Sequence, residues 1–165
     1  MTKFEQLIET YTKAENDFYD YKWKCIDFAK EIGINISNYL GCKLGDIQYY
    51  LYDKEGKPVE AHPRDALILK KDTFWHYGMG INMYMIGERR PSPPFIFNMA
   101  IKSDKNGFIV EFPQLKKEYY IDSNKPEDFK SLNRLVYITI KEHFENLLKK
   151  FLDDRSLEHY PDIFE

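Results

Sequence analysis

Between residues 74 and 86 the chain alternates strictly. Trp75, Tyr77, Met79, Ile81, Met83 and Met85 are large and apolar, while His76, Gly78, Gly80 and Asn82 between them are polar or small, with Phe74 and Tyr84 in the same set. Side chains leave a strand on alternate faces, so the spacing predicts one long β-strand with an apolar face and a sparse, partly polar one. Shorter runs of the same kind flank it, at residues 47–53, 58–60, 95–102, 108–112 and 118–121, with 66–69 readable as strand or turn. Lys54-Glu55-Gly56-Lys57 reads as a turn, His62-Pro63-Arg64-Asp65 as a loop, and residues 103–107 as a hairpin turn whose Gly107 takes the positive φ. Three prolines and a glycine exclude regular structure from residues 87–94. Connections this short make antiparallel neighbours.

On either side of the strands the period changes to that of a helix. Phe4, Leu7, Tyr11, Ala14, Phe18, Tyr21, Cys25, Phe28 and Ile32 alternate spacings of three and four, an a/d seam of the kind that can wind two helices together. Gly33 is expected to stop this helix, with a second short turn over 34–40 before Gly41. Some 30 residues of helix would be about 45 Å long, more than the width of a compact domain of this size, so the helix either kinks or projects. An aromatic and alanine seam is usually core, and it is expected to pack on the chain's own sheet or second helix. The alternative is an intermolecular pair, a homodimer through the first helix. A second helix is expected from about 125 to 152, opened by Asn124 and Glu127 as a capping box with Pro126 in the first turn. Its stripe is Phe129, Leu132, Val136, Ile140, Phe144, Leu147 and Phe151. The remaining tail, 153–165, is acidic but keeps Leu157, Tyr160, Ile163 and Phe164; it is expected to pack on the body or to serve as a docking peptide.

The order helix, strands, helix predicts an α+β fold: a two-layer sandwich with a long N-terminal helix, an antiparallel sheet of five or six strands and a long C-terminal helix. One domain is expected over 1–165, helical at 1–40, sheet at 46–121, helical at 124–152, with the tail beyond.

Composition narrows the function classes. The 165 residues are 43% hydrophobic and 16% aromatic, which argues against disorder. A net charge of −3 and a pI near 5.9 give no general pull toward nucleic acid or an anionic membrane. Of the 24 basic residues 19 are lysine; that vocabulary is what an AT-rich coding sequence gives, and a low-GC bacterium or its phage is the expected source. The N-terminus is charged without the apolar core of a signal peptide, and no apolar run approaches the roughly 20 residues of a membrane span. With Cys25 and Cys42 read as free thiols, the expected home is the cytoplasm.

Candidate chemistry is thin. His76, Asn82, Tyr84, Asn98 and Glu111 fall on the polar side of the sheet, with Gly78, Gly80 and Ala100 leaving room for a shallow ligand site. The ordinary reading is that the small residues admit close packing and His76 is solvated. Asp46 with Glu55-Gly56-Lys57 imitates the ligand pattern of metal-dependent nucleases, but Glu55-Gly56-Lys57 reads as a hairpin tip, not as neighbouring strands. His62, His76, His143 and His159 lie far apart, no phosphate loop is present, and neither thiol has an activating context, so no metal, cofactor or catalytic residue is assigned. Arg89 and Arg90, at the mouth of the proline-rich loop, could grip an acidic partner. Together with Tyr160 and Phe164 they are the candidate partner-binding residues. The helix–sheet–helix order resembles, in architecture alone, small bacterial adaptors such as type III secretion chaperones and toxin-immunity proteins. The expected function is a non-catalytic protein-interaction domain of inhibitor, immunity or adaptor type, with an unidentified protein as partner. The alternative is a small-molecule or nucleotide-binding domain, enzymatic or not, using the sheet face around His76.

Overall fold

A computed structural model describes residues 1–87 and 92–154. It opens on α1 (Lys3–Leu40), followed by β1 (Ile47–Tyr52), β2 (Pro58–Ala61), the one-turn helix α2 (Pro63–Ala66), β3 (Ile68–Leu69) and β4 (Trp75–Ile81). Then come β5 (Phe95–Asp104), β6 (Gly107–Phe112), β7 (Lys117–Ile121), α3 (Phe129–Glu145) and α4 (Leu147–Asp154). The fold is α+β as expected. Seven strands form one antiparallel sheet in the order β2-β1-β4-β5-β6-β7, with the two-residue β3 also pairing with β4.

The alternation seen in the sequence sets which face is covered. Ile47, Tyr49, Tyr77, Met79, Ile81, Phe97, Met99, Ile101, Val110, Phe112 and Ile121 project to one side of the sheet, where the C-terminal half of α1 and all but the end of α3 lie. Phe28 of α1 stacks on Phe108 of β6, centroids 3.8 Å apart, and meets Phe129 of α3 at 6.2 Å. On α3 the period of a helix brings Phe129, Leu132, Val136 and Ile140 into the same core.

Several local expectations are corrected. The strand begun at Trp75 ends at Ile81, short of residue 86. Ile81 faces the first residue of β1, Ile47, and the first of β5, Phe95, so neither neighbour offers a ladder further on. The Asn82 N–H turns instead to the Asp46 carbonyl at 2.8 Å. The expected loop at 62–65 runs into the one-turn helix α2 (Pro63–Ala66), capped by His62, whose Nδ1 accepts from the Arg64 N–H at 3.3 Å. At the β5–β6 hairpin the positive φ, 52°, belongs to Lys105. Gly107 lies in β6, where a Cβ would come 2.4 Å from the Ile121 carbonyl oxygen. The C-terminal helix starts at Phe129 after a 3₁₀ turn over 126–128, because the Asp122 N–H takes up Asp128 Oδ2 at 3.0 Å, and it breaks at Asn146.

The largest correction is at Gly33. The helix runs through it and ends at Gly41, whose φ of 74° lets its N–H return to the Ser37 carbonyl. Gly33 is glycine for a different reason. Tyr49 lies against the helix here, its hydroxyl donating to the Ala29 carbonyl at 3.2 Å, and a Cβ on Gly33 would sit 2.4 Å from that oxygen. Burial lifts the Tyr49 phenol to about 12. We expect Gly33→Ala to destabilise the protein by about 1–3 kcal/mol despite the better helix propensity of alanine. Tyr49→Phe removes the colliding oxygen, so in a denaturation cycle the double variant should be more stable than the two single losses add up to. Additive losses would mean that the hydroxyl is not what requires glycine.

Candidate functional site

Two surfaces remain after the core is accounted for. The first is the face of the sheet that no helix among the described residues covers. In register across it run Ile68, His76, Ala100, Glu111 and Glu118, one from each of β3 to β7. Asp72, in the loop before β4, places Oδ2 2.7 Å from His76 Nε2, and its Oδ1 accepts from the Phe74 N–H at 3.0 Å. Slight burial works to raise the Asp72 pKa, but the Phe74 N–H and the His76 ring outweigh it and hold the carboxyl below its ordinary value. Glu111 shifts the other way. Burial, and then the Glu118 carboxylate directly across the β6–β7 ladder, raise it; Asp72 adds to the push and His76 opposes it. Lys102 Nζ donates to Thr73 Oγ1 at 2.8 Å and lies 5.7 Å from the Phe74 ring centroid.

Of the five residues expected on the polar face, the structure brings His76 and Glu111 into one row and places Asn98 one step along it, opposite Gly78. Asn82 and Tyr84 lie beyond the end of β4, where the Tyr84 hydroxyl donates to Asp46 Oδ1 at 2.8 Å. The room expected beside Gly78 and Gly80 is taken. A Cβ on Gly80 would meet Tyr50 Cε2 at 2.4 Å, and one on Gly78 would meet Tyr50 Cβ and the Tyr52 hydroxyl, each at 3.1 Å. The Tyr52 hydroxyl donates to Asn98 Oδ1, and that of Tyr50 to Gln48 Oε1. A shallow depression of about 260 Å³ lies at the end of the β6–β7 hairpin, between Glu111, Pro113, Lys116 and Glu118. Among the described residues no group of three or more His, Cys, Asp or Glu side chains is placed to hold a metal ion. Cys25 is buried, and burial raises its thiol pKa; His143, packed on Phe95 and Phe144, is pushed down by burial and then by Lys150. Glu55-Gly56-Lys57 is the tip of the β1–β2 hairpin.

The second surface is the N-terminal half of α1. Thr2 and Glu5 close a capping box at its start, and residues 3–20 are exposed along their whole length, about 27 Å of helix. The apolar seam is on that arm: Phe4 is 70% exposed, Leu7 66%, Ile8 50%, Tyr11 64% and Phe18 51%. The seam enters the body only at Tyr21, whose ring, like that of Phe18, stands 6.4 Å from Trp75. From Cys25 onward it is core. Sequence reasoning saw the seam but expected it to be covered by the chain itself. It also missed Asp72 and Glu118, although pairing Phe112 with Lys117 across the last hairpin puts Glu111 opposite Glu118. Arg89, Arg90, His159, Tyr160 and Phe164 lie outside the described residues.

No helix among the described residues is long and apolar enough to cross a membrane. Comparison of the chain with protein-family models, with curated proteins and with solved structures found no match.

The raised Glu111 carboxyl has a definite sign in stability. It holds its proton more tightly folded than unfolded, so its contribution is full below its ordinary value of 4.5 and is lost as pH rises through the raised value. Glu111→Gln, which keeps the shape without the charge, should therefore melt higher than the parent near pH 7. That advantage should shrink toward zero below about pH 4. A variant with equal melting temperature at both pH values would mean that the fold does not raise the Glu111 carboxyl.

Proposed function

We propose that this chain is a non-catalytic protein-interaction domain, of inhibitor, immunity or adaptor type, and that the projecting half of α1 is its contact surface. The observation that carries this reading is the exposed seam of Phe4, Leu7, Ile8, Tyr11 and Phe18. Single exposed apolar residues are ordinary, but five in helical register on one stripe make a patch of the kind that marks a protein interface. Helix stripes of this period are read by partners through anchors at i, i+3, i+4 and i+7. The charged residues Glu5, Glu9, Lys13 and Asp17 keep the rest of the arm polar and set a rim around the stripe.

A second reading places a small ligand on the open sheet face, with His76 as an acid/base or binding group beside Asp72 and Glu111. The opposed shifts of Asp72 and Glu111 favour it, since perturbed carboxyls gather at working sites. It ranks second because Tyr50 and Tyr52 fill the space a ligand would need.

Because Leu7 and Tyr11 lie outside the core, Leu7→Glu with Tyr11→Glu should change the stability of the body by no more than about 0.5 kcal/mol in a denaturant melt. A photo-crosslinking residue at Tyr11 should give protein adducts in the cell that makes this chain, and one at Lys102 on the sheet face should not. Adducts from Lys102 with none from Tyr11 would overturn the arm as the contact surface.

A further inference from the structure

We propose that the partner on the arm is a second copy of this chain, its α1 antiparallel to the first, so that Phe4 faces the partner's Tyr21, Leu7 the partner's Phe18, and Tyr11 the partner's Ala14. This rests on the reading of the arm as a contact surface and names what the surface takes.

The orientation follows from what the seam does along its length. From Tyr21 to Ile32 it faces the chain's own sheet, through Trp75, Phe108 and the residues around them. Two parallel helices joined at 8–10 Å along this face would bring both bodies to the same level, into the gap between the helices. An antiparallel pair puts the two bodies at opposite ends. Each seam then meets the partner's arm first and its own sheet afterwards, and each arm tip ends against the Phe18–Tyr21–Trp75 corner of the other body. Residues 4–21 span about 26 Å, so tip and corner coincide when the arms overlap completely.

The side chains fit that register. A parallel pair would set Phe4, Tyr11 and Phe18 each against its own copy and leave Ala14 opposite Ala14, which alternates crowded layers with an empty one. In the antiparallel register Tyr11 lies over Ala14 twice and Leu7 over Phe18 twice, so in these four central layers large faces small or medium, and only the two outer layers pair Phe4 with Tyr21. Ile8, flanking the seam, widens the stripe on each arm. With five side chains half to two-thirds exposed, each arm would bury on the order of 500–600 Å², about 1,100 Å² for the pair, which is the low end of a specific interface. A dimer that dissociates at micromolar concentration is the expectation.

Sedimentation equilibrium of the purified chain should show a monomer–dimer equilibrium, and Leu7→Glu with Tyr11→Glu should shift it to monomer by at least about tenfold in Kd while the circular-dichroism melt of the body stays in place. Orientation is read by single cysteines in a Cys42→Ser background, Cys25 being buried. Leu7→Cys mixed with Phe18→Cys should give the mixed disulfide. Neither should link to itself, since like positions in this register are offset by about 16 Å along the helix axis alone. A Leu7→Cys self-link, or a dimer that survives the glutamate pair, overturns the proposal. A monomer at about 100 μM overturns it as well. In that last case adducts from Tyr11 to a different protein would leave the arm as a contact surface and remove only the second copy, whereas no adduct from Tyr11 removes both.

Discussion

A helix of 38 residues, about 57 Å, lies on a sheet whose longest strand has ten residues, about 33 Å. Nothing between Lys3 and Ile32 can bend it: no proline, no glycine, and a seam with unbroken three-and-four spacing. The helix is pinned at its C-terminal half, where Phe28 stacks on Phe108 and Tyr49 reaches the Ala29 carbonyl across Gly33. A rigid rod fixed at one end and longer than its support must overhang at the other. The exposed seam is thus a consequence of length and anchoring, and this is what makes it the surface proposed to meet a partner.

The strands were legible in the sequence because the described helices cover one face of the sheet, which writes the period of two directly into Phe95, Phe97, Met99 and Ile101. Their ends were not, because a strand stops where its neighbours stop. Ile81 is last in β4 on account of Ile47 and Phe95, residues far from it in sequence. Gly33 misled for a related reason. Glycine after a helical seam is a good stop signal locally, but here a tertiary contact with Tyr49 decides its identity. The seam itself shows how far periodicity reaches. Phe4, Leu7 and Tyr11 obey the same spacing as Cys25, Phe28 and Ile32, so the pattern names the greasy side of the helix without saying what lies on it.

The open face of the sheet illustrates the same difference between composition and geometry. Small residues at Gly78, Gly80 and Ala100 suggest a hollow, and on a bare sheet they would make one. Tyr50 and Tyr52, one strand away, lay their rings and hydroxyls over the glycines, so the hollow is filled by the cross-strand neighbours that glycine admits. The charged row that remains, Asp72 with His76 and Glu111 with Glu118, couples its members electrically without enclosing a volume. A pair of opposed carboxyls on an open surface is first a stability feature.

An uncovered helix of some twenty residues would ordinarily be marginal in water, because the first turn fixes several residues for a single hydrogen bond. Here that cost is met by the body. The buried turns from Cys25 to Ser37 are held by packing, and the arm has only to propagate from them, one hydrogen bond per residue, toward the Thr2–Glu5 capping box at its far end. Glu9 with Lys13 and Asp20 with Lys24 stand at the spacing that adds a little more. The seam is therefore already helical in the free chain, so the proposed association would cost little backbone entropy. Such preorganisation is what the proposed interface would need, since five exposed apolar side chains lie near the lower limit of area for a specific interface.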